Sequence, residues 1–167
     1  MMVAALPKTR SGSPEDRATL GAAVNALTGL QRQLTEAIDL DADAYGRVVA
    51  AYRLPKGTAD EQAVRTATVQ RALRGASDVP LDVMRLSALA LKEARLVAAH
   101  GHRAAASDVR VAIGLLAAGL RGARLNVEAN QGGIGDPAYV KAVTLEAGQL
   151  ANDGARAAEE ADTLLQK

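Results

Sequence analysis

An all-α, single-domain bundle of about five helices is the fold this sequence predicts, and three observations lead there. Hydrophobic residues make up 49% of the chain, yet aromatics only 2%, with no Phe and no Trp. The apolar content is carried by Ala, Leu and Val; Ala and Leu favour helix, whereas sheets draw on aromatic and β-branched residues. Apolar residues also recur at steps of three and four, with no alternating strand pattern, repeat, low-complexity stretch or linker between them. A chain of 167 residues is long enough for one domain with a core and too short for two comfortable ones.

The elements follow in order. Ser13-Pro14-Glu15-Asp16 is a helix start: a hydroxyl cap, proline at the first helical position, then acids where the helix dipole favours them. From it a stripe runs through Leu20, Val24, Leu27, Leu34, Ile38, Tyr45, Val48 and Tyr52, with Gln31 and Asp41 filling the gaps. This predicts one long helix ending near Leu54, because Pro55 disfavours helix in the residue before it. Thr58 and Glu61 form a capping-box pattern opening a second helix, with a small-residue face of Val64, Ala67, Thr68, Ala72 and Gly75 reaching roughly Ser77. Asp78-Val79-Pro80 reads as the start of a third helix, with Val83, Leu86, Ala90, Ala94 and Val97 as its stripe and His100-Gly101 as its close. Ser107-Asp108 reads as the cap of a fourth, apolar almost all round from Val109 to Val127 and therefore expected at the centre of the bundle. A loop from Gln131 to Asp136 leads into a last helix at Pro137, marked by Tyr139, Val140, Val143, Leu150, Leu164 and Leu165.

Charge and composition remove several classes of function. Twenty Lys and Arg against nineteen Asp and Glu leave a formal charge of +1, which gives no support to nucleic acid or an anionic membrane as partner. With no cysteine, disulfides, zinc–thiolate sites, iron–sulfur clusters and thiol nucleophiles are excluded. The longest apolar or Gly run, Val111 to Leu120, is well short of the roughly 20 residues of a membrane span. The first residues lack the basic and apolar regions of a signal peptide. A cytoplasmic location is the expectation.

Asp41 is the most informative position. Asp39 and Asp43 lie together on one side of their helix, whereas Asp41 falls in phase with Ile38, Tyr45, Val48 and Tyr52. A carboxylate in a packing stripe must be neutral, paired or facing a cavity, and desolvation would raise its pKa towards that of a general acid/base. A solvated acidic cluster is the plain alternative. Arg53 and Lys56 could hold an anionic substrate tail, or simply favour a helix C-terminus. Gly119 and Gly122 read as close helix packing or as room for a ligand, and Asn126, with Asn130 four residues on, places amides near that face. His100 and His102 are weak metal candidates without Cys or HExxH, and no metal site is expected. The glycines of the 131–136 loop lack the GK[ST] of a phosphate loop.

The segment from Asp39 to Tyr45, followed by Tyr52-Arg-Leu-Pro-Lys-Gly-Thr58, resembles the cyclodeaminase/cyclohydrolase family of one-carbon folate metabolism. The likeness continues through Val79-Pro-Leu81, Ala106-Ser-Asp108, Gly122-Ala-Arg-Leu-Asn-Val127, Asn130 and Asp136-Pro-Ala-Tyr139. It implies a helical homodimer acting on tetrahydrofolate derivatives in clefts near the subunit interface, without metal or redox cofactor. It further implies Asp41 as the catalytic acid/base, with Arg53, Lys56, Ser107, Asp108, Asn126 and Asn130 contributing to the folate site. Two departures stand out. The family's opening Pro-Gly-Gly-Gly-Ser helix is missing, so a domain truncated at its N-terminus is expected, and His102 stands where Asn is usual. The activity implied is 5,10-methenyltetrahydrofolate cyclohydrolase; the alternatives are formiminotetrahydrofolate cyclodeaminase and a truncated, non-catalytic helical dimer.

Overall fold

A computed structural model describes residues 1–166. Four helices, not five, carry the fold: α1 (Pro14–Tyr52), α2 (Ala59–His100), α3 (Ala106–Asn130) and α4 (Pro137–Gln166), with single 3-10 turns at Val3–Ala5, Arg103–Ala105 and Gln131–Gly133. Three of the expected starts are present as read. The Ser13 hydroxyl accepts from the Asp16 N–H, and the Asp136 carboxylate accepts from the N–H groups of Ala138 and Tyr139. At α2 the capping box closes both ways, Glu61 N–H to Thr58 Oγ1 and Thr58 N–H to Glu61 Oε2.

Three expectations are corrected. Pro80 does not open a helix; it lies inside α2, which runs unbroken past it, and the reason lies in what happens to the carbonyl that its missing N–H would have served. Ser107 does not cap α3, whose N-cap is Ala105 with no side-chain hydrogen bond. Nor is the apolar helix central. On α3 only Val109, Ile113, Leu120, Ala123 and Val127 are buried, and α2 instead packs along α1, α3 and α4. Apolar composition all round a helix did not mean burial all round, because this chain covers only one face of it.

The core is built at the level of Leu20 and Ala23 of α1, Met84, Leu91 and Ala98 of α2, Val109 to Val127 of α3, and Val143, Ala147 and Ala161 of α4. Gly154 lets α4 sit close, since a Cβ there would run into the Leu120 side chain. The N-terminal segment is tied to this end of the bundle. Thr9 pairs with Gly101, the Arg10 N–H donates to the His100 carbonyl, and Arg10 Nη2 reaches the Leu164 carbonyl. Asp16, buried, accepts from Ser11 N–H and Oγ and sits 2.7 Å from His100 Nδ1. Those contacts, the Ser11 hydroxyl first and then the His100 ring, hold its carboxyl far below the ordinary carboxylate range. His100 is thus part of a clasp, and no group of three potential metal ligands occurs among the described residues.

Candidate functional site

Along α1 the side chains fall into rows seven apart, as two helices in shallow coiled-coil contact require. Asp16, Ala23, Leu30, Ala37, Ala44 and Ala51 form the buried row. Beside it runs Leu20, Leu27, Leu34, Asp41 and Val48; Leu20 is buried, Leu27, Leu34 and Val48 are half-buried, and Asp41 is exposed. Outermost lie Ile38, Tyr45 and Tyr52, between 50% and 70% exposed. The sequence stripe was therefore displaced by about one residue in its second half. The close seam there is made of alanines, whose small side chains let α1 approach α2, while the larger apolar residues next to them face outward.

Asp41 consequently does not lie in a sealed seam. It borders a groove of about 410 Å³ between three helices, a volume within the range of small-molecule sites. Val79, Pro80 and Val83 of α2 make the floor. Leu34, Ala37, Ile38 and Asp41 of α1 form one wall, and Gly119, Gly122, Ala123 and Asn126 of α3 the other. The groove exists because α1 and α3 each pack on α2 and leave a gap between them. A Cβ at Gly119 or Gly122 would meet nothing within 4 Å, so close packing within this chain does not account for either. Sequence reasoning missed the floor, for a definite reason. With Pro80 assigned to a helix start, Val79 and Val83 had no place opposite Asp41.

The remaining candidates separate. Asn126 shares the groove, exposed like Asp41. Asn130 does not enter it; its Nδ2 donates to the Ala76 carbonyl at 2.7 Å. Arg53, the C-cap of α1, and Lys56 are exposed at the far end of that helix, Arg53 bordering a shallow depression with Tyr45, Val49 and Leu54. Ser107 and Asp108 lie at the start of α3, roughly 28 Å along the helix axis from Asn126 at 1.5 Å per residue. One chain alone therefore brings Asp41 and Asn126 together and holds Ser107 and Asp108 away from them.

The loop after α3 is fastened to α2 close by. The Tyr139 hydroxyl donates to Asp78 Oδ1 at 2.6 Å, Arg74 lies over the Tyr139 ring and pairs with Asp136 at 2.8 Å, and Gln70 bonds Gly133 and Gly135. Burial, reinforced by the Asp78 carboxylate, pushes the Tyr139 phenol up to about 12. It stays protonated as a donor at neutral pH. No helix among the described residues is long and apolar enough to cross a membrane.

Comparison with known proteins gives three concordant results. A family model described as formiminotransferase-cyclodeaminase matches residues 1–149. Methenyltetrahydrofolate cyclohydrolase from Methylorubrum extorquens is 42% identical over 128 residues, covering 76% of this chain and 62% of that protein. Formimidoyltransferase-cyclodeaminase from Rattus norvegicus is 36% identical over 98 residues, 59% of this chain and 18% of that protein. The chain thus spans about three fifths of the bacterial relative and under a fifth of the mammalian one. Among solved structures, formiminotetrahydrofolate cyclodeaminase from Thermotoga maritima superposes with a TM-score of 0.86 at 24% identity, covering 99% of this chain and 78% of that one. That likeness establishes the four-helix fold.

Proposed function

This chain belongs to the formiminotransferase-cyclodeaminase family, and on that premise we propose that it is a one-carbon folate enzyme, a 5,10-methenyltetrahydrofolate cyclohydrolase. The observation that carries the reading is the meeting of Asp41 and Asn126, remote in sequence, on the two walls of one groove. The substrate's bridging amidinium carbon is cationic and electrophilic. A carboxylate at Asp41 attracts that cation, accepts a proton from the attacking water, and returns it to the ring nitrogen as the bridge opens to 10-formyltetrahydrofolate. The water oxygen forms the new carbon–oxygen bond as one carbon–nitrogen bond breaks. Of its two protons one ends on the freed ring nitrogen and the other is released to solvent, since a cationic substrate gives a neutral product. Asn126, with both donor and acceptor atoms, suits the amide-like edge of a pterin. Arg53 and Lys56 provide positive charge for an anionic glutamate tail.

The site is completed by a second copy of the chain. Asp41 is exposed here, and Ile38 at 69% and Tyr45 at 70% exposure on α1, with Leu115 at 69% on α3 one turn before Gly119, leave apolar surface along the rim of the groove. Covering that face would remove it from water and enclose the groove that Asp41 borders. Ser107 and Asp108 join the site only from the second copy.

Loss of the near-ultraviolet absorbance of methenyltetrahydrofolate, followed with and without the protein, tests the assignment. A rate above the buffer blank is expected; a rate equal to it, with no ligand bound, would leave the non-catalytic dimer. The cyclodeaminase names of the mammalian and Thermotoga relatives favour a second reading, in which Asp41 protonates departing ammonia as formiminotetrahydrofolate closes. Ammonia release from that compound, outpacing hydrolysis of the methenyl substrate, would select it.

A further inference from the structure

Pro80 has no N–H, so the carbonyl four residues earlier, Ala76, loses its helical partner, and the proline ring crowds it as well. A backbone carbonyl left without a partner beside a buried proline destabilises the helix that contains it. The missing donor comes from another helix: Asn130, the last residue of α3, points its Nδ2 at the Ala76 oxygen, 2.7 Å away. One turn earlier on α3 stands Asn126 on the groove wall, while Pro80 itself is on the groove floor. The bond therefore fastens wall to floor at the one place where the floor's own ladder is broken.

We propose that Asn130 is a positioning residue, not a substrate ligand: its amide substitutes for the N–H that Pro80 lacks and thereby sets the spacing between Asn126 and the Pro80 floor, opposite Asp41. A helix with an ordinary residue at position 80 would need no such donor, so Pro80 and Asn130 act as a pair. The kinetic half of this inference rests on the groove being the folate site; the structural half does not.

The test is a double-substitution cycle on the full chain, using Asn130→Ala, Pro80→Ala and both together. Asn130→Ala alone should lower the thermal midpoint by about 4 °C and speed amide deuterium exchange in residues 76–84 and 122–130. It should raise KM for methenyltetrahydrofolate roughly tenfold while kcat changes less than about twofold and the pH profile is unmoved, because Asp41 sits on the other wall. In the Pro80→Ala background, where an alanine N–H serves Ala76, the same Asn130→Ala change should shift the midpoint by less than about 1 °C and KM by less than about twofold. Asn130→Asp, which keeps the shape but turns the donor into an acceptor facing the Ala76 carbonyl, should cost at least as much as Asn130→Ala. A KM loss undiminished by Pro80→Ala would make Asn130 a direct ligand and overturn the proposal, as would additive midpoints and exchange rates. Should Asn130→Ala not fold, recovery of folding by Pro80→Ala supports the pairing and failure of both variants to fold refutes it. An unaltered chain without turnover counts against the cyclohydrolase reading alone, since midpoint and exchange read the pairing without substrate.

Discussion

The two halves of α1 are built on one seven-residue spacing and reach opposite outcomes. In the first half Leu20, Ala23 and Leu30 are buried, Val24 and Leu27 are half-buried against the core, and the one buried acid, Asp16, has Ser11 and His100 as partners. In the second half only Ala37, Ala44 and Ala51 are buried, while Ile38, Tyr45 and Tyr52 face outward and the acid in phase with them, Asp41, is exposed. The first half is stabilised by its own chain. The second uses alanine to bring α1 close to α2 and leaves its large apolar side chains for something else to cover. The acids of the two halves differ accordingly. Asp16 is already held by fixed partners, whereas Asp41 is left able to meet a ligand.

The strongest way to break this contrast is to charge the outer row. If the proposed second copy covers this row, Ile38→Asp combined with Tyr45→Asp should give a monomer where the unaltered chain sediments as a dimer, and should reduce turnover by at least about tenfold because the groove is no longer covered. Helical content should be preserved, since neither residue is buried within the chain. In the first half the effect inverts. Leu20→Ala should cost about 2–5 kcal/mol of unfolding free energy in a denaturant titration, whereas Ile38→Ala in the isolated monomer should cost little.

A smaller effect separates groove from core. Gly122→Ala has room for its methyl group and should stabilise α3 by up to about 1 kcal/mol. It should nonetheless weaken turnover by narrowing the groove; raised stability with unchanged KM would detach Gly122 from the site. The smallest effect concerns Asp16. Its folded-state pKa lies below the ordinary value of 3.8, so its contribution is complete above that value and is lost as pH falls towards the folded-state pKa. The midpoint difference between the unaltered chain and Asp16→Asn should therefore shrink as pH falls below about 4. A difference that grew below that pH would contradict the clasp.

Much of this was legible from residues, and the failures are instructive. Ser13, Thr58 with Glu61, and Asp136 placed three helix starts because each supplies a donor or acceptor to a local backbone group, information contained within four residues. Pro80 was misread because the donor that rescues its helix, Asn130, lies far along the chain, beyond any local pattern. Apolarity singled out Asp41 through its phase but put the contact one residue off, since Ile38, Tyr45 and Tyr52 outweigh Ala37, Ala44 and Ala51 in hydrophobicity while alanine is what close helix packing selects. The burial assigned to α3 failed for a related reason: Val111, Leu115 and Leu125 are apolar yet exposed, because apolar content does not say which face of a helix the chain covers.

Asp41→Asn, assayed by the decay of methenyltetrahydrofolate absorbance alongside the unaltered protein, asks whether this carboxylate moves the proton. The carboxamide keeps the size and removes the base, so the rate should fall by about 10²–10⁴-fold with circular dichroism and oligomeric state unchanged. A fully active Asp41→Asn protein would mean that the groove works without a carboxylate at Asp41, and the proton transfer would then belong to another group.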